Sequence, residues 1–244
     1  MSDDAQPGKI KSKAEGAVES AGDKPGLAAG GFSTWLRSVR SALLEDGVTD
    51  VPCGACTACC TSSYFVHIGP GETRALARIP AELLFPAPDL PQGNAVLGYD
   101  AHGHCPMLVD GACSIYVDRP LTCRLYDCRV FAAAGIAADR TAITRQARRC
   151  EFGYPTDDDR REYAAVRAAA RFVRDRAQCF PGGDVPHDPA QLAVLAIKVY
   201  EVFLERPDED GRTACRPSDR ETAAAVMKAS AAFEARRCRE TDVS

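Results

Sequence analysis

Residues 53–60 read Cys53-Gly54-Ala55-Cys56-Thr57-Ala58-Cys59-Cys60, four thiols in the run C-x2-C-x2-C-C. Gly54 and the three small residues leave this backbone free to wrap tightly around an ion. A C-x2-C turn sets two sulfurs about one metal-ligand bite apart, and its backbone N–H groups can point at them. Zinc takes four such ligands in a tetrahedron, and iron–sulfur clusters draw thiolates from similar runs. The competing interpretations are a redox dithiol or packed free thiols. Cys59 and Cys60 are adjacent, so their side chains diverge and do not complete one mononuclear tetrahedron together. Either Cys60 serves a second site or one sulfur bridges two metals.

Further thiols lie downstream. Cys105 precedes Pro106, Cys113 follows an Asp110-Gly111 turn signal, and Cys123 and Cys128 lie on or just past one short helix. Of 12 cysteines in 244 residues, eight fall between Cys53 and Cys128. Cys150, Cys179, Cys215 and Cys238 stand singly and read as packed or exposed thiols, Cys150 having the option of approaching the cluster. The content is about 5%, below the roughly 8–10% of a small disulfide scaffold. The N-terminal MSDDAQPGKIKSKAEGAVES lacks the apolar run of a signal peptide, and no apolar stretch is long enough for a membrane-spanning helix. A cytoplasmic location is expected, where thiols stay reduced and clustered cysteines read as metal ligands. The net charge of −4 carries no nucleic-acid footprint. The basic stretch Arg145, Arg148, Arg149, Arg160 and Arg161 is offset by Glu151 and Asp157–Asp159.

Four motifs recur together: CGACTACC at 53–60, CPML at 105–108, GACSIY at 111–116 and DRPLTCRLYDC at 118–128. In this combination the chain resembles the YkgJ-type cysteine-cluster family, described as a zinc- or iron-chelating domain and related to the cysteine-rich region of flagellin lysine-N-methylases. The resemblance covers about residues 50–130, a third of the chain. It implies Cys53, Cys56, Cys59, Cys60, Cys105, Cys113 and Cys123 as metal ligands. Cys128 is added to the set at a position where the family is less uniform. The metal is zinc or iron, the iron as ions or as a [4Fe–4S] cluster. Cys105-Pro106 favours ferredoxin-like ligation, but the 44 residues between Cys60 and Cys105 break the contiguous ferredoxin run. Arg119 and Arg124 are placed to offset thiolate charge, or else they line a solvated helix face.

The expected fold is α+β: an irregular cysteine-rich αβ unit packed with a C-terminal helical bundle. Residues 1–30 read as a disordered tail, 31–135 as the metal-binding domain with a leading helix, and 136–244 as the helical region. The first helix is capped by Ser33 and carries Trp35, Leu36, Val39, Leu43 and Leu44 on one stripe, with Trp35 a core residue. A strand is expected over 63–68, a helix over 72–79, loop over 85–94, and a hairpin turning at Asp110-Gly111. Asp118 is expected to cap the helix bearing Cys123. Thr156, Asp188 and Ser218-x-x-Glu221 open three later helices. His102 and His104 flank Gly103 beside Cys105 and read as a surface turn before a ligand pair. His67 sits on the strand after the cluster, and His187 is exposed. Tyr116 and Tyr126 read as shields of the site.

Among common enzyme signatures, the Walker loop, a G-x-G-x-x-G after a strand, H-E-x-x-H and G-x-S-x-G do not occur. A radical-SAM C-x3-C-x2-C fails at Ser63. The primary expectation is therefore a cytosolic metal-binding protein with a thiolate centre. The alternative is an iron–sulfur-dependent redox or protein-methylating enzyme. A third option is a metal-handling module that presents its helices to a protein partner. Neither nucleic acid nor membrane is expected as a partner.

Overall fold

The computed structural model describes residues 26–44, 51, 53–204 and 217–241, with side chains to residue 236. Cys215 and the Cys238 side chain lie outside the described residues, as do the first 25 residues of the expected tail. The fold is mixed α+β, with short strands and a helical body.

The body is built on α1 (Phe32–Leu44), α4 (Arg129–Ala134), α5 (Thr141–Arg148), α6 (Asp157–Asp175), α7 (Pro189–Val199) and α8 (Asp219–Thr241). The periodic stripe of α1 works as its sequence dictates. Phe32, Trp35 and Leu36 are buried, while Val39 and Leu43 pack against the same core. Phe32 and Trp35 meet Phe152 at ring-centroid distances of 5.0 and 4.8 Å. Small residues on α6 and α7, including Ala169, Ala170, Ala193 and Ala196, are fully buried and let these helices approach closely. The helix starts follow the polar signals in the sequence. Thr156 and Asp159 form a reciprocal capping box on α6. Asp188 accepts from the Gln191 N–H on α7, and Ser218 and Glu221 cap α8.

Two starts differ from expectation. Helix α1 begins at Phe32, and the Ser33 N–H donates to Asp159 Oδ1 at 2.8 Å. A carboxylate from the first turn of α6 thus caps α1 across a sequence separation of 126. Residues 27–30, assigned above to the tail, form with Gly31 the strand β1 (Leu27–Gly31), which pairs in parallel with β7 (Cys150–Gly153). This short strand has few large apolar side chains. Backbone pairing and the burial of Ala29 hold it in place.

A second, smaller core lies in the cysteine-rich segment. Strands β2 (Val66–Ile68), β4 (Ala95–Leu97) and β3 (Leu84–Pro86) form an antiparallel sheet in the order β2-β4-β3. The 63–68 strand is thus shorter than expected, and β3 occupies part of the expected loop. Ile68 and Leu97 pack with Ala75 and Ile79 around α2 (Thr73–Arg78) and with Ile115. The expected hairpin forms as β5 (Leu108–Val109) and β6 (Ala112–Cys113). Asp110 and Gly111 take φ of +49° and +75°, the left-handed pair of a type I′ turn.

Asp159 supplies the pH test of this architecture. The Thr156 hydroxyl, the Ser33 N–H and the Thr156 N–H hold its carboxyl down at about 2. A depressed carboxyl contributes stability above its unfolded pKa of about 4, lost as pH falls through the folded value. Asp159→Asn should lower the Tm at pH 7, and its gap from the parent should shrink between pH 4 and pH 2. A gap of constant size over that range would contradict the anchoring role.

Candidate metal centre

Residues 53–60 form a turn closed from several sides. Gly54 has φ +55°, a conformation that a side chain would strain. The Cys56 N–H donates to Cys53 O at 2.9 Å, and the Ala58 N–H approaches Cys56 Sγ at 3.5 Å. Backbone donors do face sulfur, as the C-x2-C spacing implies. The entry to the turn is clamped by α3 (Leu121–Leu125) and the residues before it. Val51 N–H donates to Arg124 O at 2.9 Å, and Val51 O accepts from Arg119 Nη2 at 2.9 Å. Arg119 also donates to Tyr116 O and lies 4.1 Å over the Tyr116 ring. It is buried, so it is a structural clamp and not part of a solvated face. The Tyr116 hydroxyl accepts from the Gly54 N–H at 3.3 Å, which gives this tyrosine a direct part in shaping the turn.

The later thiols reach the turn by backbone contact. The Cys105 N–H donates to Cys60 O at 2.7 Å, and the Ser63 N–H to Gly103 O at 2.9 Å. A Cβ at Gly103 would sit 2.3 Å from Ser63 Oγ, so this approach demands glycine. Asp100 Oδ1 accepts from both the His102 and His104 N–H groups at 2.8 Å. The two histidines therefore build the expected turn, with ring centroids 6.3 Å apart. His67 Nε2 is hydrogen-bonded to Asn94 Oδ1 at 2.8 Å, and His187 is exposed.

Cys113 is held by the hairpin, and Cys123 by α3. The expected cap on α3 is replaced. Asp118 closes a 3-10 turn and pairs with Arg74 and Arg78, while Glu72 Oε2 accepts the Leu121 N–H at 2.5 Å. Pro120 separates Asp118 from the first free N–H of the helix, so the carboxylate that precedes the neighbouring α2 takes over.

Burial and mutual repulsion identify which thiols gather. Burial first, then Cys56, Cys53, Cys60 and Cys123, push the Cys59 thiol far above its ordinary range. Burial, then Cys105, Cys113, Cys53 and Cys56, push Cys60 up to about 12. Burial, then Cys105, Cys60, Cys113 and Cys53, push Cys123 up to about 12. Burial also raises Cys105. Seven of the eight expected ligands are thus linked through their electrostatic influence on Cys59, Cys60 and Cys123. The adjacent pair diverges: Cys59 feels Cys56 and Cys53 most, Cys60 feels Cys105 and Cys113 most. Cys128 differs, because its strongest partner is Cys150, with Cys59 third among its thiol and burial influences.

Among the described residues no three Cys, His, Asp or Glu side chains already close as a metal cage. The donor set nevertheless fits zinc or iron. Crowded, half-buried thiols cannot ionise together without a compensating charge, and a bound cation supplies it while taking thiolates as ligands. The gathering also sits where the two cores meet. Cys59 packs against the large core, and Cys105 and Cys113 against the small one.

Of two further features of this neighbourhood, the sequence left the approach of Cys150 open and did not signal the other. Cys150 has no motif spacing to Cys128, and a chain of Tyr126, Tyr64 and Asp139 lies beside Cys59. Tyr64 donates to Asp139 and lies within hydrogen-bonding reach of Tyr126, whose own hydroxyl is raised first by burial.

No curated protein matches the chain. No solved structure matches it either. Residues 52–151 match the family model CxxCxxCC, described as "Putative zinc- or iron-chelating domain". The match begins just before Cys53 and takes in Cys150. Over these residues the chain is similar to the cysteine-cluster domains of the CxxCxxCC family, in agreement with the resemblance of its motifs.

Proposed function

We propose that Cys53, Cys56, Cys59, Cys60, Cys105, Cys113 and Cys123 hold a thiolate-ligated zinc or iron centre in a cytosolic protein. What supports this reading is that the thiols of the 53–60 turn, Cys105, Cys113 of the hairpin and Cys123 of α3 act electrostatically on one another and that the Cys105 N–H is bonded to Cys60 O. Seven donors exceed the four of one mononuclear zinc site. The divergence of Cys59 and Cys60 accordingly favours more than one metal, as two zinc ions or an iron–sulfur cluster. Cys128 was expected as an eighth ligand. Its leading partner is Cys150, and we leave it outside the set.

The centre's role in this reading is structural at the least. A metal bound at the seam ties the small core to the helical body, and its binding free energy becomes folding free energy. An iron–sulfur cluster would add electron transfer, the starting point for the redox or protein-methylating alternative. The helical body, with α8 on its flank, is the surface we assign to a protein partner. Among the described residues no helix is long and apolar enough to cross a membrane.

Elemental analysis and absorption spectra of the anaerobically purified full chain test the ligand set. Cys56→Ser should lose at least half of the bound metal and lower the Tm. Cys179→Ser, away from the cluster, should leave metal content unchanged. Equal metal content in the two variants would sink the assignment. Stoichiometric zinc in colourless protein selects the zinc form, and visible charge-transfer bands with iron select the cluster. Chelator competition adds a pH test. Thiols raised by burial and crowding must release protons to bind, so apparent affinity should fall about tenfold or more per unit drop in pH from 8 to 6. Affinity that is flat over that range would contradict thiolate ligation.

A further inference from the structure

The small β2-β4-β3 sheet has an outer face that the metal centre does not use. Register sorts its residues. Leu97 pairs with Val66 and Leu84, and these three side chains pack in the small core. The alternate positions Val96, His67 and Phe85 take the opposite face. Phe65, one residue before β2, extends that outer row across from Gly98. Phe65, Phe85 and Tyr99 are 65%, 55% and 43% exposed, yet they stand together. A Cβ at Gly98 would sit 3.4 Å from Phe85 Cε2 and 3.8 Å from Phe65 Cε1. The Phe65 and Tyr99 ring centroids are 5.0 Å apart. Covering a glycine accounts for one side of each phenylalanine ring and leaves the other in water. A lone exposed ring is ordinary, whereas a contiguous group marks an interaction surface.

Charge selects the occupant. Between Arg40 and Arg119 the sequence has no lysine, and its only arginines are Arg74 and Arg78. Both pair with Asp118. Exposed acids flank the aromatic row: Glu82 in the turn that leads into β3, Asp89 in the β3–β4 connection and Asp100 directly after Tyr99. The His102 and His104 N–H groups hold Asp100 Oδ1 at 2.8 Å, which fixes that carboxylate beside the row. A nucleic acid or an anionic lipid surface would meet like charge here, and so would the same face of a second copy. A guanidinium answers both features, because its plane stacks on aromatic rings and its N–H groups pair with carboxylates. We propose that the face formed by Phe65, Phe85 and Tyr99 docks an arginine-rich segment of a partner protein. This surface belongs to the small core and is additional to the helical body.

The test titrates the anaerobically purified full chain into fluorescently labelled nonapeptides, with binding read by anisotropy. One peptide alternates arginine with glycine, a second carries neutral citrulline at each arginine, and a third carries lysine. The arginine peptide should bind about tenfold or more tighter than the citrulline peptide and measurably tighter than the lysine peptide. Its affinity should fall as NaCl rises from about 50 to about 300 mM. The double variant Phe85→Ser, Tyr99→Ser keeps the net charge and should weaken arginine-peptide binding about tenfold or more, with metal content as in the parent. Equal binding by parent and double variant would overturn the proposal, since general charge attraction would then account for it. Equal affinity for the arginine and citrulline peptides would also overturn it, as would no binding of either. A parent dimer that the double variant dissolves, with the arginine peptide unbound, would assign the face to a second copy instead. The peptide comparison uses the parent alone, so it decides the matter whatever the substitutions do to folding.

Discussion

Repulsion among buried thiols is the constraint to which the rest of this structure answers. Cysteines lie between a large helical core and a small mixed core, and burial raises the free-energy cost of ionising Cys59, Cys60, Cys105 and Cys123. Alone, the cluster favours protonated sulfur. A cation at the seam reverses the preference, because it rewards the thiolate form of several groups at once. In the proposed function the same binding energy would hold the two cores together.

The surroundings of the cluster show how a loop without regular structure is kept in place. Arg119 spends its buried guanidinium on two carbonyls and one aromatic face. Glu72 supplies the cap that Pro120 denies to the helix bearing Cys123. Gly54 and Gly103 occupy left-handed conformations where the turn is tightest. Together these residues restrict the backbone around the thiols, which lowers the ordering cost that metal binding must meet. The Tyr126, Tyr64 and Asp139 chain lines the same wall of the site and makes Tyr126 more than an apolar shield.

Local signals were the legible part of the sequence. The C-x2-C-x2-C-C run, the Asp110-Gly111 hairpin and the caps at Thr156, Asp188 and Ser218 are each written within a few residues, and each appears in the fold. The features that escaped are contacts between distant segments. Asp159 caps α1, Leu27–Gly31 pairs with β7, and Glu72 caps α3. None of these leaves a spacing pattern, because the partner is chosen by packing. Asp118 shows the opposite failure. Its local signal is a helix cap, but Pro120 removes the nearby donor and two arginines of α2 claim the carboxylate. Among the site residues, the backbone link of Cys105 to Cys60 is a contact across 44 intervening residues that no local spacing encodes.

In the proposed centre sulfur is the one kind of atom bound to the metal. His67, His102 and His104 are engaged elsewhere or build a turn, and the nearby carboxylates are committed to helix caps and ion pairs. X-ray absorption at the edge of the metal bound to the full chain measures this directly. The account expects a first shell of sulfur scatterers alone, at about 2.3 Å for zinc. A shell containing nitrogen or oxygen at about 2.0–2.2 Å would contradict it.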